Sequence, residues 1–154
     1  MIKVSTLKKE FKRYLKENHI QFVDLNKIHK EISIPMYMIN IKVTEDDIDE
    51  TFMEVPVMVT IFPVGGFIYF DAFNIYKSTK RSLLKTFKVV NSMNQFALPG
   101  KFIIDDDNFV SYRCVMDYKN MDTLNFLDLD RIIDSIPSAN YLFFEQLEKN
   151  NNEQ

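Results

Sequence analysis

Residues 55–73, VPVMVTIFPVGGFIYFDAF, constrain the fold more than any other stretch of this 154-residue chain. Two runs of β-branched and aromatic residues flank Gly65 and Gly66, which accept the positive φ angles of a tight turn, so the segment predicts a β-hairpin. With the two glycines as the central turn residues, Val64 pairs with Phe67 and Phe62 with Tyr69. Side chains alternate along a strand, so one face carries Val57, Val59, Ile61, Ile68, Phe70 and Ala72 and is assigned to the core. The other carries Met58, Thr60, Phe62, Phe67, Tyr69, Asp71 and Phe73, which mixes large apolar groups with polar ones.

The remaining elements follow from periodicity. Leu7, Phe11, Tyr14 and Leu15 recur at helical spacing and predict an amphipathic helix over residues 6–18. Residues 20–34 are poorly periodic and read as connection. After Pro35, residues 36–43 alternate as a strand, and residues 44–54 read as an exposed acidic loop. Ser78 and Thr79 can cap a second helix whose apolar stripe is Leu83, Leu84, Phe87, Val90, Asn91 and Asn94, stopped by Pro99 and Gly100. A second hairpin pairs residues 101–104 with 109–116 around the turn Asp105, Asp106, Asp107, Asn108. Phe126, Leu129, Ile132, Ile133 and Ile136 predict a last helix, continued by Tyr141, Phe143, Phe144 and Leu147, with a kink or break near Ile136 because Pro137 lacks an N–H. The expected architecture is α+β, a five-stranded antiparallel sheet in the order α-β-β-β-α-β-β-α with helices on one side. Residues 1–149 form one domain and 150–154 a disordered tail.

Composition excludes several function classes. With 46% hydrophobic and 27% charged residues the chain must fold around a core. Cys114 is the only cysteine, which excludes an intramolecular disulfide and fits a reducing compartment. No apolar run reaches the roughly 20 residues of a membrane span, and the amino-terminal residues are too charged for a secretory signal, so a cytoplasmic location is expected. The net charge of −3 argues against binding driven by bulk attraction to nucleic acid, and neither nucleic acid nor a membrane is expected as a partner. Local charge is uneven: residues 77–88 hold five bases and no acid, residues 45–54 six acids and no base. Solvated surface runs are the ordinary explanation of both.

No enzyme constellation emerges. His19 and His29 have no Cys or Glu at zinc-ligand spacing. The Asp105 to Asn108 cluster lacks the glycine and distal glutamate of a calcium loop and reads as a plain turn. Cys114, in a strand, reads as a small buried hydrophobe. No Ser or Cys has a recognisable base, and three glycines, Gly65, Gly66 and Gly100, give a phosphate cradle little to build from. No cofactor and no metal are expected. Asn91 and Asn94 lie on the expected apolar stripe, where an unpaired amide would cost about 1–3 kcal/mol, so each should bond a backbone group.

The stretch VVNSMNQFALPGKFIIDDDNFVSYRCVMDYKN, followed by an apolar carboxy-terminal helix, resembles the YbjN-like family, whose fold is shared with type III secretion chaperones of the Tir-chaperone class. The matching features are Asn91 and Asn94 late in a helix, Gly100-Lys101-Phe102 entering a strand, the acidic turn and the strand after it; they cover roughly residues 80–147. Pro137 and the acidic stretch before Val55 depart from the pattern. The resemblance implies a small non-catalytic bacterial protein, commonly dimeric, that holds another polypeptide or acts in regulation.

From the residues themselves, the candidate contact surface is the mixed sheet face. Met38, Met58, Phe62, Phe67, Tyr69 and Phe73 place much apolar surface there, and Arg113 can border it with a charged contact. A homodimer seam or a client-binding surface would cover it; so would a helix of the same chain. An immunity-type protein or stoichiometric inhibitor, steering a basic target with the acids of residues 45–54, is the alternative function. An enzyme with an unseen small-molecule site is the third.

Overall fold

The computed structural model describes residues 1–43 and 53–152. Its elements are α1 (Val4–Glu17), β1 (Gln21–Asp24), α2 (Leu25–Ile28), β2 (Met36–Val43), β3 (Met53–Phe62), β4 (Phe67–Lys77), α3 (Leu83–Met93), β5 (Lys101–Ile104), β6 (Phe109–Asp117) and α4 (Phe126–Asn152). The strands form one antiparallel sheet of six, not five, in the order β1-β2-β3-β4-β6-β5. The added strand, β1, comes from the segment read as connection.

β1 has no periodicity of its own to announce it. Asn26 organises the region: its Nδ2 donates to the carbonyls of Ile32 (3.2 Å) and Ile34 (2.8 Å), and its Oδ1 accepts the Met36 N–H at 2.9 Å. The loop is thereby folded back so that β1 and β2 run antiparallel, Gln21 opposite Asn40 and Asp24 opposite Tyr37. Burial opposes ionisation of Asp24, but the Lys12 ammonium 3.2 Å away and the Asn26 N–H outweigh it and hold that carboxyl below the usual carboxylate range.

The central hairpin is present with its register moved by two. Phe62 pairs with Phe67 and Thr60 with Tyr69, leaving Pro63 to Gly66 as a four-residue turn. Pro63 has no N–H for a ladder, which ends pairing two residues earlier than a two-residue turn would. Because the side-chain period is two, an even shift leaves both faces as expected. Gly65 and Gly66 do take positive φ angles, +101° and +72°. Tyr118 ties the turn down, its N–H donating to the Gly66 carbonyl (2.8 Å) and its hydroxyl to the Phe62 carbonyl (2.9 Å).

Val57, Val59, Ile61, Ile68, Phe70 and Ala72 are buried, as are Tyr37, Ile39, Tyr112 and Cys114 beside them. The three long helices of the described residues lie on this face. α1 buries Leu7, Phe11, Tyr14 and Leu15, with Phe11 edge-on to Tyr37 and Phe70. α4 brings Phe143 onto Phe102 and Tyr76, and Ser135 to the Tyr112 hydroxyl. α3 packs on α4 and β5.

Three expectations for the helices are corrected. α3 begins at Leu83 with Ser82 at its cap; Ser78 and Thr79 instead join Ser82 and Thr86 in a hydroxyl network ahead of the helix. α4 continues through Pro137, so of the kink or break expected near Ile136 the break is excluded. A proline forfeits one backbone bond, but Ile132, Ile133, Ile136, Ala139 and Phe143 bury on both sides of it, so tertiary packing holds the helix together. The helix also runs to Asn152, so residues 150–152 are helical where a disordered tail was expected; residues 153–154 lie outside the described residues. Most of the expected acidic loop, residues 44–52, also lies outside them, while residues 53–54 belong to β3.

Candidate functional site

The face of the sheet turned away from the helices carries the sequence-predicted surface. One row of directly paired residues crosses all six strands: Val23, Met38, Met58, Asp71, Arg113, Lys101. The next row is Met36, Thr60, Tyr69, Val115, and the one beyond it Phe62, Phe67, Asp117. Met38, Met58, Phe62, Phe67 and Tyr69 therefore form one contiguous patch. Each keeps partial exposure, and none packs into the helix-covered core. Phe73, also half-buried, stands where the β4–β6 register slips, at a bulge in which Asn74 takes φ +51°.

The patch packs laterally. Phe62 and Tyr69 meet edge to face at 4.9 Å between ring centroids. Thr60 is only 7% exposed although no long helix of the described residues roofs it, because Met36, Met58, Phe62 and Tyr69 surround it. Arg113 pairs with Asp71, and its guanidinium stacks 4.8 Å from the Tyr69 ring centroid. A guanidinium held by both a carboxylate and an aromatic face is fixed in direction and spares the middle of the patch an unpaired charge. Val23 and Val115, 45% and 48% exposed, extend the apolar surface to either side. Sequence reading passed over both: each sits on a short or charged stretch, and only register places it beside Met38 and Tyr69.

No protein-family model and no curated protein sequence matches the chain.

The other sequence-predicted residues separate into two groups. Asn94 holds α3 to β5: its Oδ1 accepts the Phe102 N–H at 2.7 Å and its Nδ2 donates to the Phe102 carbonyl at 3.0 Å. Asn91 is exposed and makes no such bond among the described residues. The difference comes from a rotation of α3. Its buried stripe is Thr86, Val89, Val90 and Met93, about a third of a turn from the expected one. Replacing Asn94 by leucine orphans both backbone groups of Phe102 and should lower stability by about 1–3 kcal/mol, while Asn91→Leu should stay within about 0.5 kcal/mol of wild type. Urea unfolding of the two variants checks this, and equal losses would refute the assignment.

Gly100 is buried and donates its N–H to the Tyr112 hydroxyl at 2.9 Å. Asp105 closes its turn by accepting the N–H groups of Asp107 and Phe109 on Oδ1, both at 2.9 Å. Cys114 is buried, and burial pushes its thiol up from the ordinary value. His19 and His29 are both exposed. Among the described residues no group of three or more His, Cys, Asp or Glu is placed to hold a metal ion.

One concave site was not anticipated. A cleft of about 210 Å³ lies between the end of α1, β2 and the start of α4, lined by Tyr14, Asn18, His19, Asn40, Lys42, Asp130 and Asp134 among others. Four of its polar side chains, those of Tyr14, Asn18, Lys42 and Asp130, make structural contacts. The Tyr14 hydroxyl donates to Asp130 Oδ1 at 2.7 Å, Asn18 donates to the Tyr14 carbonyl, and Lys42 lies 3.9 Å from Glu54. Burial first, and then the Asp130 carboxylate, push the Tyr14 phenol well above its usual range, so it remains a donor.

Proposed function

We propose that the chain is a non-catalytic protein-binding module, a chaperone, adaptor or regulator of the YbjN-like type, working in the cytoplasm through the uncovered face of its sheet. Its occupant in the first instance is a second copy of the same chain. The observation that carries this is the side of the sheet on which the helices lie: the three long helices of the described residues pack on one face, leaving Met38, Met58, Phe62, Phe67 and Tyr69 partly exposed on the other. Further support comes from the resemblance of residues 80–147 to the YbjN-like family. A type III secretion chaperone-like fold is part of the same proposal, and an antiparallel sheet backed by helices is compatible with it.

Area and charge both fit a second copy. Six strands about 4.8 Å apart, averaging about eight residues at about 3.3 Å each, present roughly 700 Å². Two such faces would bury about 1,400 Å², within the range of stable interfaces. A two-fold contact sets a surface against itself, so an unbalanced charge at its centre would repel. Here the central charges, Asp71 and Arg113, neutralise each other. The inhibitor alternative depends on acids that lie almost wholly outside the described residues and gains no support from the sheet.

Sedimentation velocity tests the proposal. Wild type should sediment as a dimer, and Phe62→Asp and Val115→Glu as folded monomers with unchanged circular dichroism. Val115 is half-exposed, so its variant keeps the test valid if Phe62→Asp unfolds. A wild type that remains monomeric, or variants that dimerise as well as it does, would refute self-association through this face.

A further inference from the structure

The rotation of α3 leaves its outward stripe as Leu84, Phe87, Lys88 and Asn91, at i, i+3, i+4 and i+7. Leu84 is 69% and Phe87 44% exposed, while the helix buries Thr86, whose hydroxyl must then be bonded by Ser78 at 2.9 Å. The helix thus buries a threonine and shows solvent a leucine and a phenylalanine, the reverse of what its own sequence favours. Phe96, just beyond the helix, is 47% exposed as well.

Charge singles out the same place. Residues 72–104 contain six bases and no acid, in a chain whose net charge is −3. Lys80, Arg81, Lys85 and Lys88 make no salt bridge among the described residues. Three of them stand at the amino-terminal end of α3, which is already the positive end of the helix dipole, and the first turn has no acid to offset them. Uncompensated cations at that end raise the local potential, and an external anion would lower it. Exposed aliphatic and aromatic side chains between such cations are the chemistry of a helix that lies in a bilayer interface.

We propose that α3, with the turn before it, is a peripheral docking surface for an anionic lipid bilayer, Leu84 and Phe87 entering the headgroup region while Lys80, Arg81, Lys85 and Lys88 meet the lipid phosphates. The surface lies on α3, apart from the open sheet face, and goes beyond the protein-binding role. It also departs from the expectation of no membrane partner, which rests on the length of the apolar runs and on the charged amino-terminal residues. Interfacial binding needs neither a spanning segment nor a basic protein, only a local patch.

Co-sedimentation with vesicles tests it. The full chain should pellet with vesicles of equal parts phosphatidylglycerol and phosphatidylcholine at low salt, stay in solution with phosphatidylcholine alone, and be released at high salt. Each lysine near an anionic surface contributes about a factor of five, so Lys85→Gln with Lys88→Gln should weaken binding roughly 30-fold. Leu84→Ser should weaken it without disturbing the fold, since the side chain is mostly in solvent, whereas Phe62→Asp on the sheet face should bind as wild type does. Equal pelleting with neutral vesicles, no pelleting with either, or variants indistinguishable from wild type would overturn the proposal. So would binding to a polyglutamate peptide or to single-stranded DNA in the absence of vesicle binding, which would assign the patch to another anion.

Discussion

Truncating Phe70 to alanine should lower the free energy of unfolding by about 4 kcal/mol, a large share of the roughly 5–15 kcal/mol such a domain possesses. Phe70 is fully buried at the centre of the sheet, between Val59 on β3 and Cys114 on β6, with Phe11 of α1 against its ring. Its removal opens a cavity walled by two strands and a helix, and strands pinned on both sides cannot close in to fill it. For a chain of this length the melting temperature should fall by about 10 °C. Phe67→Ala on the same strand is the control. That ring lies on the open face, packed mainly by its lateral neighbours and the Lys119 ammonium 4.6 Å from its centroid, so its loss should cost about 1 kcal/mol. At protein concentrations low enough to keep the chain monomeric, comparable losses from the two substitutions would mean that the chain's own helices cover both sheet faces, contrary to the one-sided arrangement on which the functional proposal stands.

The sorting of that hairpin is legible in its sequence, although its register is not. Alternation decides which side chains share a face, and it survives an error of two residues; only Pro63 decides where pairing stops, and a tight-turn reading of Gly65-Gly66 passes over it. β1 was hidden for a different reason. Four residues held by backbone pairing and by the side chain of Asn26 leave no periodic trace. In α3 the trouble was an excess of signal: Leu83, Leu84, Phe87, Val89, Val90 and Met93 spread over much of the helix circumference, so two stripes were available, and only packing on α4 and β5 selected the less apolar one. That choice moved Asn91 into solvent and left Asn94 at the β5 junction. It also exposed the patch proposed to meet a bilayer, which a helical wheel alone would have assigned to the core. Pro137 shows the opposite relation, a local rule overridden by burial on both sides of it.

Gly100→Ala should cost about 3 kcal/mol, the upper part of the usual range for forcing an atom into a filled site. A β-carbon at that position would lie 2.5 Å from the Arg113 carbonyl oxygen, 2.6 Å from Cζ of Tyr112 and 2.7 Å from Sγ of Cys114. All three belong to β6, and the nearest is backbone, so no flexible side-chain tip can swing away. Relief requires the start of β5 to lift from β6. That movement would strain the pairing of Lys101 with Arg113 and of Phe102 with Tyr112, lengthen the bond from the Gly100 N–H to the Tyr112 hydroxyl, and pull Phe102 from Asn94. The damage is thus transmitted to α3 through one side chain, and it should appear in two independent readouts. The thermal midpoint should fall by several degrees. Cys114, buried beneath the same junction with its thiol pushed up by burial, should react faster with a disulfide reagent than in wild type. A variant that melts normally and keeps Cys114 unreactive would show that β5 can accommodate a methyl group there, and that Asn94, not the close approach at Gly100, holds the strand in place.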